Sequence, residues 1–222
     1  MGRIELTAGD GHRLDAYEAK PQGAPRGGIV VVQEIFGVNA HIRSICDRLA
    51  ALGYEAVAPA IFDRIERRFE TGYTPENVEL AKGLIPRFGM DACLLDIAAA
   101  RDAVAPAGKV GIIGFCLGGS VAFAAATRLD GFSGASCFYG GLIRKFAGER
   151  ARCPVQLHYG ADDASIPPEN YLDVKARQPD AEFHVYENAG HGFNCDQRAS
   201  YAPAAAALAW RRMQDFLART VG

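Results

Sequence analysis

Polar and apolar residues alternate in two segments near the start of the chain, residues 3–7 and 12–19. Alternation with a period of two is typical of strands that have one face in the core and one in solvent. Residues 28–33 follow a different pattern, because β-branched apolar residues dominate the run without interruption. Such a run predicts a strand that is covered on both faces.

Buried strands and helices then alternate over the rest of the chain. Further strands are predicted at residues 54–58, 109–115, 135–139, 155–159 and 183–186. Helices are predicted at residues 39–52, from about 75 onward, and at 91–104, 118–129 and 203–219. This alternation indicates an α/β fold with a mostly parallel central sheet and helices on both faces. Ligands bind such sheets at the carboxyl ends of the strands, so candidate chemistry is expected there.

Length and charge narrow the function classes. Residues 1–222 are expected to form one domain, because no long Ser-, Gly- or Pro-rich linker divides them and the length allows a sizeable core. The 24 basic and 26 acidic side chains are spread along the chain and leave a net charge of −2. The densest basic cluster, residues 64–68, contains an acidic residue of its own. No nucleic-acid partner is therefore predicted.

The N-terminal residues lack the apolar core of a secretory signal, and no apolar stretch is long enough to cross a bilayer. The six cysteines show no CxxC spacing and are too sparse for a disulfide framework. Reduced thiols, a cytoplasmic location and no membrane association are therefore expected. Five of the six cysteines are interpreted as small buried apolar residues, the usual environment of a free cysteine.

Residues 114–119, Gly-Phe-Cys-Leu-Gly-Gly, lie at the end of a predicted buried strand. They fit the G-x-C-x-G form of the nucleophile elbow, a sharp strand-to-helix turn that exposes its central side chain. The start of the following helix favours a thiolate at Cys116. Two other interpretations are a glycine-rich turn with an inert cysteine and a phosphate-binding loop, although the GxGxxG pattern and the Walker lysine are absent.

A cysteine nucleophile needs a base and a group that orients the base. In α/β-hydrolases these follow the nucleophile in the order acid, then histidine. Asp162 and Asp163 come after the predicted strand 155–159, and His191 lies in a glycine-flanked loop after the strand 183–186. Either aspartate could orient the imidazole, and the other would cap the turn. The other four histidines are interpreted as packed or surface residues.

Glu34 closes the first buried strand, where burial of a carboxylate is costly and calls for a reason. This position leads into the loop that supplies the second oxyanion-hole N–H group in α/β-hydrolases. One interpretation is that Glu34 reaches Cys116 while Ile35 donates its backbone N–H. The other is a solvent-facing glutamate at a strand end.

Four short motifs occur in this order along the chain. They are QEIFG at residues 33–37, GFCLGG at 114–119, G-x-x-D-x-x-I-P at 160–167 and GHGF at 190–193. Together they resemble the dienelactone hydrolase (carboxymethylenebutenolidase) family over essentially the whole chain. The resemblance implies an α/β-hydrolase fold, a small-molecule ester or lactone substrate and a monomer. It also implies a triad of Cys116, His191 and Asp163, since Asp163 occupies the family's aspartate position.

The resemblance further implies how the site would work. Glu34 would pair with the resting thiol and take its proton when substrate binds. The thiolate would then attack the carbonyl carbon and form an acyl-Cys116 intermediate, with the backbone N–H groups of Ile35 and Leu117 holding the oxyanion. His191 would protonate the leaving group and afterwards help to activate water.

One departure from the family pattern affects the substrate. The prototype enzymes clamp a substrate carboxylate with two arginines, one in mid-chain and one four residues after the histidine. The second of these positions holds Cys195 in this sequence. Arg198 either takes the role of the missing arginine as a substrate-binding residue or is a surface arginine. The mid-chain arginine is not assigned, because four candidates compete: Arg64, Arg67, Arg68 and Arg87. The sequence therefore predicts the chemistry and leaves the substrate open.

Other functions are compatible with the sequence. A thioesterase or acyl transferase would share the acyl-thioenzyme and differ in what resolves it. A redox or electrophile sensor would use Cys116 without turnover, with Cys195 as a resolving thiol, but would not need a full triad. A ligand-binding domain without activity is disfavoured because no acid–base residue is missing. No metal is predicted, because Cys116, Asp163 and His191 lack paired ligand spacing, and no cofactor is predicted.

Overall fold

A computed structural model describes residues 1–222, and its centre is one eight-stranded sheet. Strands β1 (Gly2–Thr7) and β2 (Arg13–Ala19) form an antiparallel pair at one edge, and β2 also pairs antiparallel with β4. The other strands are parallel to one another: β3 (Gly28–Val32), β4 (Glu55–Pro59), β5 (Val110–Phe115), β6 (Phe132–Phe138), β7 (Val155–Gly160) and β8 (Glu182–Tyr186). The spatial order is β1-β2-β4-β3-β5-β6-β7-β8.

Seven α-helices connect or flank these strands. They are α1 (Ala40–Ala51), α2 (Pro75–Lys82), α3 (Met90–Val104), α4 (Leu117–Arg128), α5 (Ile143–Phe146), α6 (Pro168–Arg177) and α7 (Pro203–Thr220). Side-chain oxygens of Asn39 and Thr74 cap α1 and α2 by accepting hydrogen bonds from backbone N–H groups of the first turn. The short helices α5 and α6 have no counterpart among the predicted elements. Their sequences bury few side chains, so an apolar stripe gives little signal.

The helices cover both faces of the sheet, as predicted. The connection through α1 moves from β3 to β4, whereas the connection through α3 moves from β4 past β3 to β5, in the opposite direction. Because parallel crossovers are right-handed, these two helices lie on opposite faces. Helix α4 contacts α3, and α7 joins α1, where the Arg48 guanidinium lies 3.5 Å from the centre of the Trp210 ring. The α/β fold with a mostly parallel sheet is confirmed.

Strands β3 and β5 are buried at every position, which accounts for their continuous apolar sequences. Helix α4 packs against β5 and β6, and its small residues are buried throughout positions 117–127. Buried apolar side chains from both layers form one continuous cluster around the sheet. None of the helices combines the length and the apolar character that a membrane crossing requires.

The direction of strand addition reverses at β3, between β4 and β5. Reversal of strand order opens a crevice at the carboxyl ends of the strands on either side. The chain leaves β3 at residues 33–35 and leaves β5 at Cys116. The loops that follow β7 and β8 carry Asp163 and His191 to the same edge of the sheet.

Candidate active site

Cys116 occupies the sharp turn between β5 and α4. Its backbone has φ 56° and ψ −115°, a conformation that is costly for a residue with a side chain. Its N–H donates to the carbonyl oxygen of Phe138 at 3.0 Å, which ties the turn to β6. A Cβ atom at Gly114 would lie 1.9 Å from the carbonyl oxygen of Gly118, so the turn requires glycine there. These features are those of a nucleophile elbow.

Cys116, His191 and Asp163 form a hydrogen-bonded row. The Sγ of Cys116 lies 3.1 Å from Nε2 of His191, and Nδ1 of His191 lies 2.7 Å from Oδ2 of Asp163. The other oxygen of Asp163 accepts a hydrogen bond from the Ser165 N–H at 2.9 Å. Asp163 is buried, whereas the alternative candidate Asp162 is exposed. The structure therefore brings together the three residues that the resemblance implied and separates Asp162 from them.

Charges along this row change the protonation of its members. Burial alone lowers the pKa of His191, but the neighbouring Cys116 sulfur and Asp163 carboxylate outweigh burial and raise it to about 10. Burial alone raises the pKa of Asp163, but hydrogen bonds from His191 and Ser165 outweigh it and lower that pKa. The row therefore favours a protonated imidazole beside the Asp163 carboxylate.

Glu34 is buried at the end of β3, but it does not contact the thiol. Its Oε1 accepts a hydrogen bond from Nη1 of Arg198 at 2.9 Å, and its Oε2 lies 3.5 Å from the hydroxyl of Tyr73. The expected pairing of Glu34 with Cys116 is absent in this arrangement, because Arg198 takes the carboxylate. Gly192 makes room for this pair, since a Cβ atom there would lie 2.3 Å from Nη1 of Arg198. Arg198 is thus a half-buried residue of the site rather than a surface arginine.

The backbone N–H groups of Ile35 and Leu117 make no hydrogen bond within the protein. Both residues line the same cleft as Cys116. Leu117 is the first residue of α4, where backbone N–H groups have no partner within the helix. Two unpaired donors in the same cleft as a thiol are suited to hold a developing oxyanion.

A cleft of about 340 Å³ opens over the sulfur. Its walls are mostly apolar and come from the loop after β3, from α2 and its following turn, and from the loops after β6 and β7. Besides His191, two cationic residues line it, Lys82 and Arg198. The mid-chain arginines that the sequence left in competition lie elsewhere. Arg64, Arg67 and Arg68 pair with acidic residues near β1 and β2 or on α3, and Arg87 donates to the carbonyl oxygen of Ile65.

Sequence reasoning missed two further residues at the site. Tyr139, directly after β6, has φ 38°, and its ring forms a T-shaped pair with the His191 ring with ring centres 5.2 Å apart. Tyr73 precedes α2 and contacts the carboxylate of Glu34. The position of Tyr139 at a strand end could have pointed to it, as it did for the triad residues. No local pattern marks Tyr73.

Comparison with known proteins shows the family to which the chain belongs. The sequence pattern of the Dienelactone hydrolase family matches residues 14–221. The chain belongs to the dienelactone hydrolase family. It is 36% identical to the carboxymethylenebutenolidase of Pseudomonas putida over 97% of this chain and 95% of that protein. Membership of this family makes the chain a hydrolase of the ester or lactone class.

Two solved structures of dienelactone hydrolase type are similar to this chain. One, from Klebsiella pneumoniae subsp. pneumoniae and provisionally named a dienelactone hydrolase, has a TM-score of 0.86 and 32% identity, covering 99% of this chain and 100% of its own. The other, the dienelactone hydrolase-like promiscuous phosphotriesterase P91 from metagenomic libraries, has a TM-score of 0.82 and 25% identity, covering 99% and 98%. The likeness extends over the full length of each chain.

Proposed function

We propose that this dienelactone hydrolase family member cleaves its ester or lactone through an acyl-Cys116 intermediate. The observation that carries the proposal is the 3.1 Å contact between Cys116 Sγ and His191 Nε2, with the imidazole fixed by Asp163 at 2.7 Å. A thiolate beside an imidazolium is an activated nucleophile. The cleft gives a carbonyl group access to the sulfur.

The thiolate attacks the carbonyl carbon, and the carbonyl oxygen becomes an oxyanion facing the N–H groups of Ile35 and Leu117. Collapse of this intermediate breaks the bond to the leaving oxygen, which takes a proton from His191. The acyl-thioester is then cleaved by water, whose proton passes to His191, and the thiolate is restored. Asp163 keeps the imidazole in the required tautomer throughout.

The general base in this proposal is His191 rather than Glu34. Glu34 could take the thiol proton only after separating from Arg198, to which it is bonded at 2.9 Å. His191 needs no such movement. Glu34 instead neutralises and orients Arg198 at the wall of the cleft.

We further propose that the substrate carries a carboxylate in addition to its reacting ester. Arg198 lines the cleft together with Cys116, and Lys82 lines it from the end of α2. Arg198 is half-buried among apolar residues, where a charged hydrogen bond has fewer water competitors, whereas Lys82 is exposed and also pairs with Glu79. Arg198→Gln should lower kcat/KM for a carboxylated ester about 10- to 100-fold and leave a neutral ester of equal size nearly unaffected. Equal losses on both esters would argue against a carboxylate site.

Turnover of 4-nitrophenyl acetate and of dienelactone by wild type and by Cys116→Ala tests the nucleophile. The variant should lose turnover while its circular dichroism spectrum stays unchanged, and mass spectrometry should detect an acyl adduct on Cys116 of the wild type. Cys153→Ala is the matched control, since Cys153 is also partly exposed but lies away from the cleft. Full activity in Cys116→Ala would rule out the mechanism. One round of acylation without further turnover would instead indicate a thiol sensor or a protein that needs another acyl acceptor.

A further inference from the structure

Three side chains of metal-ligand type meet beside the pair of Glu34 and Arg198. A carboxylate oxygen of Glu34, an imidazole nitrogen of His41 and the Sγ of Cys195 all lie within 4.8 Å of one another. None of the three residues is more than 2% exposed. They come from the end of β3, from α1 and from the loop after β8, so only folding brings them together.

His41 has an unused nitrogen in this cluster. Its Nε2 is buried and has no hydrogen-bond partner, while its Nδ1 lies 3.6 Å from a carboxylate oxygen of Asp196. Buried polar atoms are nearly always paired with protein or with a bound species, so an orphaned imidazole nitrogen calls for an explanation. A bound cation would explain the unpaired nitrogen, because the nearby thiol and carboxylate are also metal ligands.

We propose that Glu34, His41 and Cys195 form a binding site for a thiophilic divalent cation of the zinc type. Sulfur, imidazole nitrogen and carboxylate oxygen are the ligands that zinc takes in proteins, at about 2.0–2.3 Å. A tetrahedral centre with these bond lengths has ligand atoms about 3.5 Å apart. The ligand atoms of Glu34, His41 and Cys195 therefore have to approach one another by about 1 Å. The hydroxyl of Tyr73, already near Glu34, or a water molecule completes the set.

Binding is a simple exchange of partners. Cys195 releases its thiol proton to solvent and binds as a thiolate, and Glu34 transfers its carboxylate from Arg198 to the cation. The two negative ligands balance the two positive charges of the ion, and Arg198 is left without its partner at the wall of the cleft. This consequence rests on the proposed function: the cation reversibly inhibits hydrolysis, because Arg198 loses the carboxylate that orients it.

Cobalt(II) serves as a spectroscopic probe for zinc. The experiment uses the Cys116→Ser protein, which removes the other thiol that has a histidine beside it. One equivalent of Co²⁺ should produce a thiolate-to-cobalt charge-transfer band, and Zn²⁺ should displace it. Adding Cys195→Ser should abolish the band, and adding His41→Asn should weaken binding at least about tenfold.

Cys46→Ser, added to Cys116→Ser, is the matched control, because Cys46 is equally buried on α1 but outside the cluster. It should keep the band. Absence of the band in folded Cys116→Ser protein, or its persistence after Cys195→Ser, would overturn the site. Inhibition is tested separately, in protein that keeps Cys116. Zn²⁺ should inhibit the wild-type enzyme far more strongly than it inhibits the Cys195→Ser variant. Equal inhibition of both would reject the regulatory consequence, while the cobalt band reports binding independently of any hydrolase activity.

Discussion

Two histidines near the carboxyl half of the sheet have opposite electrostatic environments. His158, within β7, is completely buried and hydrogen bonds to neutral groups, with Nδ1 2.8 Å from the Tyr186 hydroxyl and Nε2 2.8 Å from Oε1 of Gln156. Burial, followed by the nearby positive charges, lowers its pKa well below the usual range. His191 lies in the loop after β8, between Cys116 and Asp163, and these two neighbours raise its pKa to about 10.

The difference shows that burial alone does not determine the role of a histidine. Both rings lose water, which disfavours the charged form in each case. Only His191 has partners, the Cys116 sulfur and the Asp163 carboxylate, that reverse the effect. His158 therefore contributes to the packed sheet, where its ring stacks on Phe138 with centres 4.2 Å apart, whereas His191 has the partners that the proposed proton transfers require.

Removal of the His191 ring should give the largest effect. His191→Ala should lower kcat for ester hydrolysis by about 10⁵- to 10⁶-fold, because thiol activation and leaving-group protonation are lost together. Steady-state kinetics on a 4-nitrophenyl ester measure the loss. A residual activity above one tenth of wild type would mean that His191 has no more part in catalysis than His158.

Replacing the charged partner of His191 by a neutral one should make it resemble His158. Asp163→Asn should lower kcat about 10⁴-fold, because an amide neither stabilises the imidazolium nor enforces its tautomer. The same kinetic assay applies, with Asp162→Asn as the control because Asp162 is exposed and has no contact with His191. Similar losses in both variants would contradict the assignment of Asp163.

Loss of a neutral partner of His158 should affect stability and not catalysis. Tyr186→Phe leaves Nδ1 of His158 buried without its hydrogen bond and should lower the free energy of unfolding by about 1–3 kcal/mol. Urea denaturation measures this change. The activity should stay within twofold of wild type, and a large fall in kcat with unchanged stability would place this cluster in the catalytic machinery.

The smallest effect concerns titration. Because the folded pKa of His191 is raised, its protonated ring stabilises the fold fully below about pH 6.5, and this stabilisation is lost as the pH rises through about 10. Two-dimensional NMR of labelled histidine should follow that titration, while His158 stays neutral wherever the protein is folded. Cys116→Ser should lower the His191 pKa, since the sulfur charge is a leading cause of the shift. An unchanged pKa in the variant would show that the thiol carries no charge beside the ring.

Local sequence patterns predicted the strands, the long helices and the elbow because each depends on neighbouring residues. Gly114 and Gly118 allow the tight turn at Cys116. Strand-end reasoning located His191 and the pair Asp162 and Asp163, and the family resemblance selected Asp163 from that pair. The helices α5 and α6 were missed because short, mostly polar segments bury too few side chains to show a period. The partner of Glu34 was also missed, since Arg198 is 164 positions away and no local pattern connects the two.

The sequence by itself indicated the family, the fold and the candidate residues for acyl transfer, because these depend on short motifs and on apolar periodicity. Only the tertiary structure decided how the polar side chains pair. In the structure, Glu34 pairs with Arg198 and not with the thiol. Lys82 lines the cleft, and none of the mid-chain arginines does. His41 and Cys195 both lie near the carboxylate of Glu34. Such pairings depend on distances between loops of different strands, which no window of sequence contains.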